Sequence, residues 1–555
     1  MKKKFTFITL ISLAALSLTG CQYFNEFMSF MGWSTPNFTG ESDYQFSDVS
    51  TPPAGSLVAK KPSSNFGDMI ENCVYPLSVT PSLGRAKLLV IPIWFNDSSS
   101  FIKEDHKELV RQDIQKAYFG TNEEVGWYSV KTFYETESHG ALTIAGTVSE
   151  WRELTSPYRT YANDPDTSKT VRLVDESVDW YFKTHSSEKR TDYDLDGDGY
   201  LDGVMLIYAA PDYSTLNNEA YDNLWAYCFW IQDYSVQNVA KPGTNAFFWA
   251  SYDFMYGKEK VGDRTGYAST TLKPGYINGD TSHMNVDTHT YIHEMGHMFG
   301  LEDYYDYSKN SYSPAAAFSM QDCNVGGHDP YSVYVLGWGK AYVPTSSTII
   351  DLKPFTTSGE MILLSPNFNS YNSPFDEYLL LEYYTADGVN ELDTSNPYMH
   401  SYSKDYPTGS KTPGIRLWHV DSRLVYTTDG NFFPSHFETN PKTTKGRVTL
   451  AMSNTFLDGT ENAKAYASVL VDEGGENYAN FNLLQLIHND TTATYKSKVK
   501  FTKDSLFLPN DTFSMSNFTR QFVNKNKLNN SQTLGFSFKV NATNSTYASI
   551  EIIKE

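Results

Sequence analysis

The sequence predicts an α+β chain, with a mixed unit over residues 63–345 and a β-rich unit over residues 346–555. Three observations carry this. Tyr (40 residues) and Phe (34 residues) are abundant, and aromatic side chains suit a pleated, half-buried surface. Up to about residue 345, apolar runs of strand length alternate with stretches of helical period. Beyond it, short alternating runs separated by turn residues take over. At 555 residues, 40% of them hydrophobic, the chain has material for several packed units.

The N-terminus reads as an export signal. Lys2 to Lys4 form a positive segment and Phe5 to Leu18 an apolar one, too short for a stable membrane span. Leu18-Thr19-Gly20-Cys21 then resembles a bacterial lipobox, which makes residues 1–21 a lipoprotein signal peptide and Cys21 the lipidated mature N-terminus. This places the protein on the outer face of a bacterial cell membrane. Residues 22–62, rich in Ser, Thr, Pro and Gly, read as a flexible tether. Within it Phe24, Phe27, Phe30 and Trp33 recur every third residue and suit either a lipid interface or a sticky linker.

Order is expected from about residue 63. Ala86–Phe95 reads as a buried strand, 104–118 as a helix, Ser129–Glu137 as a second helix, and Ala141–Val148 and Val204–Ala209 as strands. A helix over 286–300 carries the chemistry. The later strands are Thr348–Leu352, Met361–Leu364, Tyr378–Tyr383, Ile415–Val420, Val448–Met452 and Leu534–Val540. Cys73, Cys228 and Cys323 allow at most one disulfide, and none sits in a CxxC pair.

The formal charge is −21, from 44 basic and 65 acidic residues; cleavage before Cys21 removes three lysines and no acid, giving −24. Such a surface repels nucleic acid. It suits a monomeric exported protein that holds divalent cations, and equally a merely soluble one.

The informative text is Thr290-Tyr-Ile-His-Glu-Met-Gly-His-Met-Phe-Gly-Leu-Glu-Asp303. His293 and His297 stand four apart, so on a helix both imidazoles leave one face and can share one Zn2+. Glu294, beside the first His, is the natural general base. A catalytic zinc needs a third protein ligand and one open position. Gly300 can take positive φ and end the helix, returning the chain toward the metal. Asp303 is then the expected third ligand, with Glu302 and Asp306 as weaker candidates. The expected reaction is metal-assisted hydrolysis of peptide bonds in protein or peptide substrates.

A second acidic run, Asp192-Tyr-Asp-Leu-Asp-Gly-Asp-Gly-Tyr-Leu-Asp202, sets Asp194, Asp196, Asp198 and Asp202 around two glycines. Closely spaced carboxylates suit a structural Ca2+, to which the Tyr200 carbonyl can add an oxygen; a solvated acidic turn is the alternative.

His293-Glu-Met-Gly-His-Met-Phe-Gly-Leu-Glu-Asp303 resembles the HExxHxxGxxD signature of metzincin-type zinc proteases, and the text around it resembles the immune inhibitor A family of bacterial metallopeptidases. The likeness extends to Ser129–Val148, to Leu336-Gly-Trp338 and to Ile415–Asp421. It implies a metzincin-like domain, with the zinc helix under a mixed sheet, and endopeptidase activity. It also implies a Met floor beneath the zinc, for which Met320 fits by position, and a calcium-binding acidic loop. Some metzincins carry a Tyr two residues after that Met, supporting the oxyanion; here Asp322 stands there, leaving His328 or Tyr331 as candidate donors. Two rival readings remain: an inactive, protease-like surface binding lipoprotein, and a glycan-binding or adhesive role in residues 346–555.

Overall fold

The computed structural model describes residues 54–59, 80–164, 167–216, 223–231, 234–256, 286–308, 314–366, 368, 374–394, 407–427, 434–438, 447–457, 466–468, 480–496 and 505–555. The signal peptide, Cys21, the aromatic run after it and Cys73 lie outside the described residues. Within the expected tether, Ser56–Val58 forms a strand, β1. It pairs antiparallel with β8 (Lys340–Pro344). The exposed edge of β8 presents unpaired N–H and C=O groups, and a short extended segment satisfies them.

The first large sheet has the order β3-β2-β5-β7-β6. Its strands are β2 (Gly84–Trp94), β3 (Leu142–Val148), β5 (Gly203–Tyr208), β6 (Tyr227–Trp230) and β7 (Ala246–Ser251). A two-residue strand, β4 (Arg152–Glu153), also pairs with β2. Neighbouring pairs are parallel except β6, which runs antiparallel to β7 at the end of the sheet. The central strands β2, β5 and β7 are buried on both faces, as a covered parallel sheet requires. Leu89, Ile91 and Ile93 of β2 face one layer with Leu173, Val174 and Val178 of helix α3 (Ser168–Thr184). Leu88 and Val90 point the other way, toward α1 (Lys107–Phe119), α2 (Val130–Glu137) and α4 (His289–Met298). The site helix α4 therefore lies on one face of a mixed sheet. The sequence predicts β2, β3, β5, α1, α2 and α4 within a few residues but not helix α3 or strands β6 and β7.

The second large sheet, β1-β8-β10-β11-β12-β16, adds β10 (Glu360–Leu364), β11 (Glu377–Tyr384), β12 (Gly414–Asp421) and β16 (Leu484–Ile487). One face packs on a four-stranded sheet of β17 (Thr512–Phe513), β18 (Phe536–Thr543), β19 (Ala548–Lys554) and β9 (Thr348–Leu352). Its other face, through Leu363, Leu380, Trp418 and Leu486, joins the same buried cluster as Tyr291, Met295 and Met320. The hydrophobic core thus runs across residue 345 without a break, although the sequence texture changes there. A smaller sheet of β13 (Leu424–Thr427), β14 (Pro434–Glu438) and β15 (Arg447–Leu450) completes the described strands.

Candidate metal centre

Helix α4 is held by its apolar face. Tyr291, Ile292, Met295 and Met298 are buried, and each fully buried side chain of this kind contributes roughly 1.5–3 kcal/mol. Hydrogen bonds fix its position. Tyr291 Oη donates to the Ser251 carbonyl at the end of β7 (2.9 Å), and Tyr134 Oη of α2 donates to the Ile292 carbonyl (2.6 Å). His289 Nε2 meets the Asn324 carbonyl at 2.5 Å, tying the helix to the loop after Met320.

The helix ends in a Schellman turn. Gly300 has φ +97°, which a side chain would strain. Its N–H donates to the His297 carbonyl (2.8 Å), and Leu301 N–H reaches back to the Gly296 carbonyl (3.1 Å). Gly296 has a different reason. A Cβ there would stand 2.1 Å from Oε1 of Gln321, which is fully buried. That amide donates to the His293 carbonyl at 3.1 Å.

The reversed chain brings Asp303 to the two histidines. Its Oδ1 lies 3.0 Å from His293 Nε2 and 3.2 Å from His297 Nε2. The three ligand atoms lie within 4.8 Å of one another. Each imidazole uses its other nitrogen on a carbonyl: His293 Nδ1 on Met320 (2.8 Å) and His297 Nδ1 on Leu301 (2.7 Å). A carbonyl only accepts, so Nδ1 carries the hydrogen and the neutral ring turns a bare Nε2 toward Asp303. Two lone pairs and a carboxylate oxygen at such distances repel unless a cation or protons lie between them. Asp303 Oδ1 is buried and makes no hydrogen bond. The donor set therefore fits a divalent zinc-like ion.

The protein's own electrostatics show the same stress. Burial disfavours a charged His297, yet the Asp303 carboxylate outweighs burial and raises its pKa to about 10. Burial likewise opposes ionisation of Asp303, and the two imidazoles still hold it well below the usual carboxylate range. Glu294 is buried at 6% exposure. Burial is the largest influence on its carboxyl and raises its pKa, while the nearby His297 and His293 pull the other way.

Of the three candidates for the third position, only Asp303 joins the histidines. Glu302 is exposed. Asp306 Oδ1 accepts from Ser308 N–H and Phe456 N–H, both at 2.9 Å. Met320 is fully buried, and its carbonyl rather than its thioether makes the bond to His293. Both candidate oxyanion donors, His328 and Tyr331, are buried. His328 Nδ1 lies 3.3 Å from Glu137 Oε2, with the rings of Phe133, Tyr134 and Trp338 around it. Tyr331 is buried against Tyr304. Asp322, where some metzincins have Tyr, is buried, which pushes its carboxyl up to about 7.

Two tyrosines beside Asp303 escaped the sequence reading. Tyr307 Oη donates to Asp303 Oδ2, which leaves Oδ1 to face the histidines. Tyr305 stacks near-parallel on the His293 ring, centroids 6.3 Å apart. The only signal was the Asp303-Tyr-Tyr-Asp-Tyr307 run itself.

In the acidic loop, Asp194, Asp196 and Asp202 converge within 4.8 Å. Asp198 is not one of them; its carboxylate instead accepts Tyr200 N–H (2.8 Å) and closes a local turn. Tyr200 bridges to Gly243. Asp202 accepts from Leu195 N–H (2.9 Å) and Lys87 N–H (2.7 Å), which joins the loop to β2. Burial pushes the Asp202 carboxyl up to about 8, and Asp196 and Asp194 add to the rise. Asp194 Oδ1 is buried with no hydrogen-bond partner. Neither Cys228 nor Cys323 forms a disulfide.

Residues 84–323 match the family model described as "Immune inhibitor A peptidase M6, catalytic domain". The matched span contains His293, Glu294, His297, Asp303, Met320 and the acidic loop. No curated protein matches the chain. Residues 84–323 thus carry a domain of the immune inhibitor A (M6) metallopeptidase type.

Proposed function

We propose that this metallopeptidase is a zinc-dependent endopeptidase that hydrolyses extracellular proteins while held by lipid on the outer face of a bacterial cell membrane. The observation that carries the reading is the convergence of His293 Nε2, His297 Nε2 and Asp303 Oδ1. These three would hold the metal. When bound, zinc supplies Lewis-acid polarisation of the scissile carbonyl and lowers the pKa of water. Glu294 takes the proton from the attacking water and returns it to the leaving amine. Its raised pKa suits that exchange. Strand β6, the last of its sheet among the described residues, packs beside α4. An extended peptide can pair with that edge by backbone hydrogen bonds, which favours cleavage within a chain.

The anchoring half of the reading rests on Leu18–Cys21. One experiment covers both halves. Membranes from cells making the full chain are expected to hydrolyse casein, to stop with 1,10-phenanthroline and to resume with added zinc. Cys21→Ser is expected to move that activity into the soluble exported fraction. Activity indifferent to the chelator would end the zinc reading, and a Cys21→Ser protein still on the membrane would end the lipid one.

We also propose that Asp194, Asp196 and Asp202 hold a structural Ca2+, supported by their convergence and by the bondless Asp194 Oδ1. Calcium at 100 times its Kd is expected to stabilise wild type by about 2.7 kcal/mol, read as a rise in melting temperature, and to leave Asp194→Asn nearly unmoved. An equal response from both proteins would reject the site.

A further inference from the structure

The loop carrying Asp303 is held from a part of the chain far beyond the family match. Asn454 is 1% exposed. Its side-chain amide donates to the Tyr304 carbonyl (2.9 Å) and to the Leu484 carbonyl of β16 (2.8 Å). Its Oδ1 accepts Leu484 N–H at 3.0 Å. Both amide hydrogens and the oxygen are thus used, and one side chain bridges a sheet strand to the residue next to Asp303. The neighbours of Asn454 continue the grip. Thr455 Oγ1 accepts Tyr307 N–H (3.3 Å), and Phe456 N–H donates to Asp306 Oδ1 (2.9 Å). Tyr466 stacks on Tyr307 with centroids 4.1 Å apart and planes 17° apart.

On the opposite side, Tyr304 N–H donates to the Gln321 carbonyl (2.8 Å) and Tyr304 Oη meets Ser332 Oγ (2.8 Å). The backbone just after Asp303 is therefore fixed at both polar atoms, its N–H by the Met320 loop and its C=O by Asn454. Tyr307, gripped by Thr455 and Tyr466, orients Asp303 Oδ2. We infer that Asn454 is a positioning residue for the metal centre: its amide holds the Tyr304 carbonyl, and through it sets Asp303 Oδ1 against His293 and His297. The strands after residue 345 are then part of the catalytic unit and not a detachable carrier. This inference rests on Asp303 being the third metal ligand. Partners that fix a ligand's orientation typically change metal affinity 10- to 100-fold.

The test uses the full chain. Zinc affinity is measured by competition with a chromophoric chelator, and ligand geometry by the visible spectrum of the cobalt-substituted protein. Asn454→Ala is expected to weaken zinc binding about 10- to 100-fold and to shift the cobalt bands. Asn454→Asp keeps the volume and the acceptor for Leu484 N–H but loses the donors; it is expected to do the same, and it decides the matter if the Ala variant does not fold. Asn489→Ala removes amide bonds to Leu506 and Asp511. It is expected to lower the melting temperature while leaving zinc affinity and spectrum as in wild type. Tight wild-type binding with unchanged affinity and spectrum in both Asn454 variants would overturn this inference alone, as would an equal loss in Asn489→Ala. A wild-type protein that binds no zinc would overturn it together with the reading of Asp303.

Discussion

Glu294→Gln is expected to cut kcat by about 100- to 10,000-fold while leaving zinc content unchanged. That loss corresponds to about 3–5 kcal/mol of activation free energy. The substitution preserves the side chain's shape, so helix α4 and the histidines on it should stay in place. What it removes is a group able to take a proton. The site therefore loses chemistry and not architecture. The split between activity and metal content is the diagnostic result. Single-turnover cleavage of a labelled peptide, with zinc measured on the same samples, reads it. Wild-type turnover in the variant would remove Glu294 from the role of base.

His297→Ala is expected to do the reverse and lose the metal itself. Three protein groups would hold the ion, and removing one should weaken binding by more than about 100-fold, the upper range for partners that merely orient a ligand. A second cost comes with it. His297 Nδ1–H also closes the turn after the helix by bonding the Leu301 carbonyl. Losing that bond costs about 1 kcal/mol, so a modest fall in melting temperature should accompany the metal loss. Equilibrium dialysis against zinc with a thermal melt separates the two effects. A variant that folds and retains zinc as wild type does would exclude His297 as a ligand.

The parts of the site written in consecutive residues were legible in the sequence. Two His a helical turn apart, an adjacent Glu, a helix-ending Gly and an Asp three residues later specify one local geometry. The structure brings His293, His297 and Asp303 together as that text requires. What was not legible depends on contacts distant along the chain. The Met320 carbonyl that orients His293 comes from 27 residues away, and the Asn454 amide on Tyr304 from 150. Nothing near Asn454 in the sequence marks it. The acidic loop was legible in part. Alternating Asp residues around glycines suggest four carboxylates on one ion; Asp194, Asp196 and Asp202 converge, while Asp198 accepts the nearby Tyr200 N–H.

The division at residue 345 followed a real change in texture with a different meaning. Strand β8 ends at Pro344 and pairs parallel with β10 beyond the boundary. Its buried Ala341 and Val343 share a core with the site helix. Alternating runs report that a segment forms strands; they do not report which layer those strands cover. Helix α3 was missed for a related reason. Its buried face mixes Thr170 and Ser177 with Leu173, Val174, Val178 and Tyr181, which blurs the apolar stripe.

The central claim is that a zinc ion sits between two imidazole nitrogens and one carboxylate oxygen. Zinc K-edge X-ray absorption on the purified chain tests it most directly. One zinc per chain, with two nitrogen scatterers at about 2.0–2.1 Å and the remaining near neighbours oxygen, is the expected result. A sulfur-coordinated zinc, or a chain that takes up none, would contradict it.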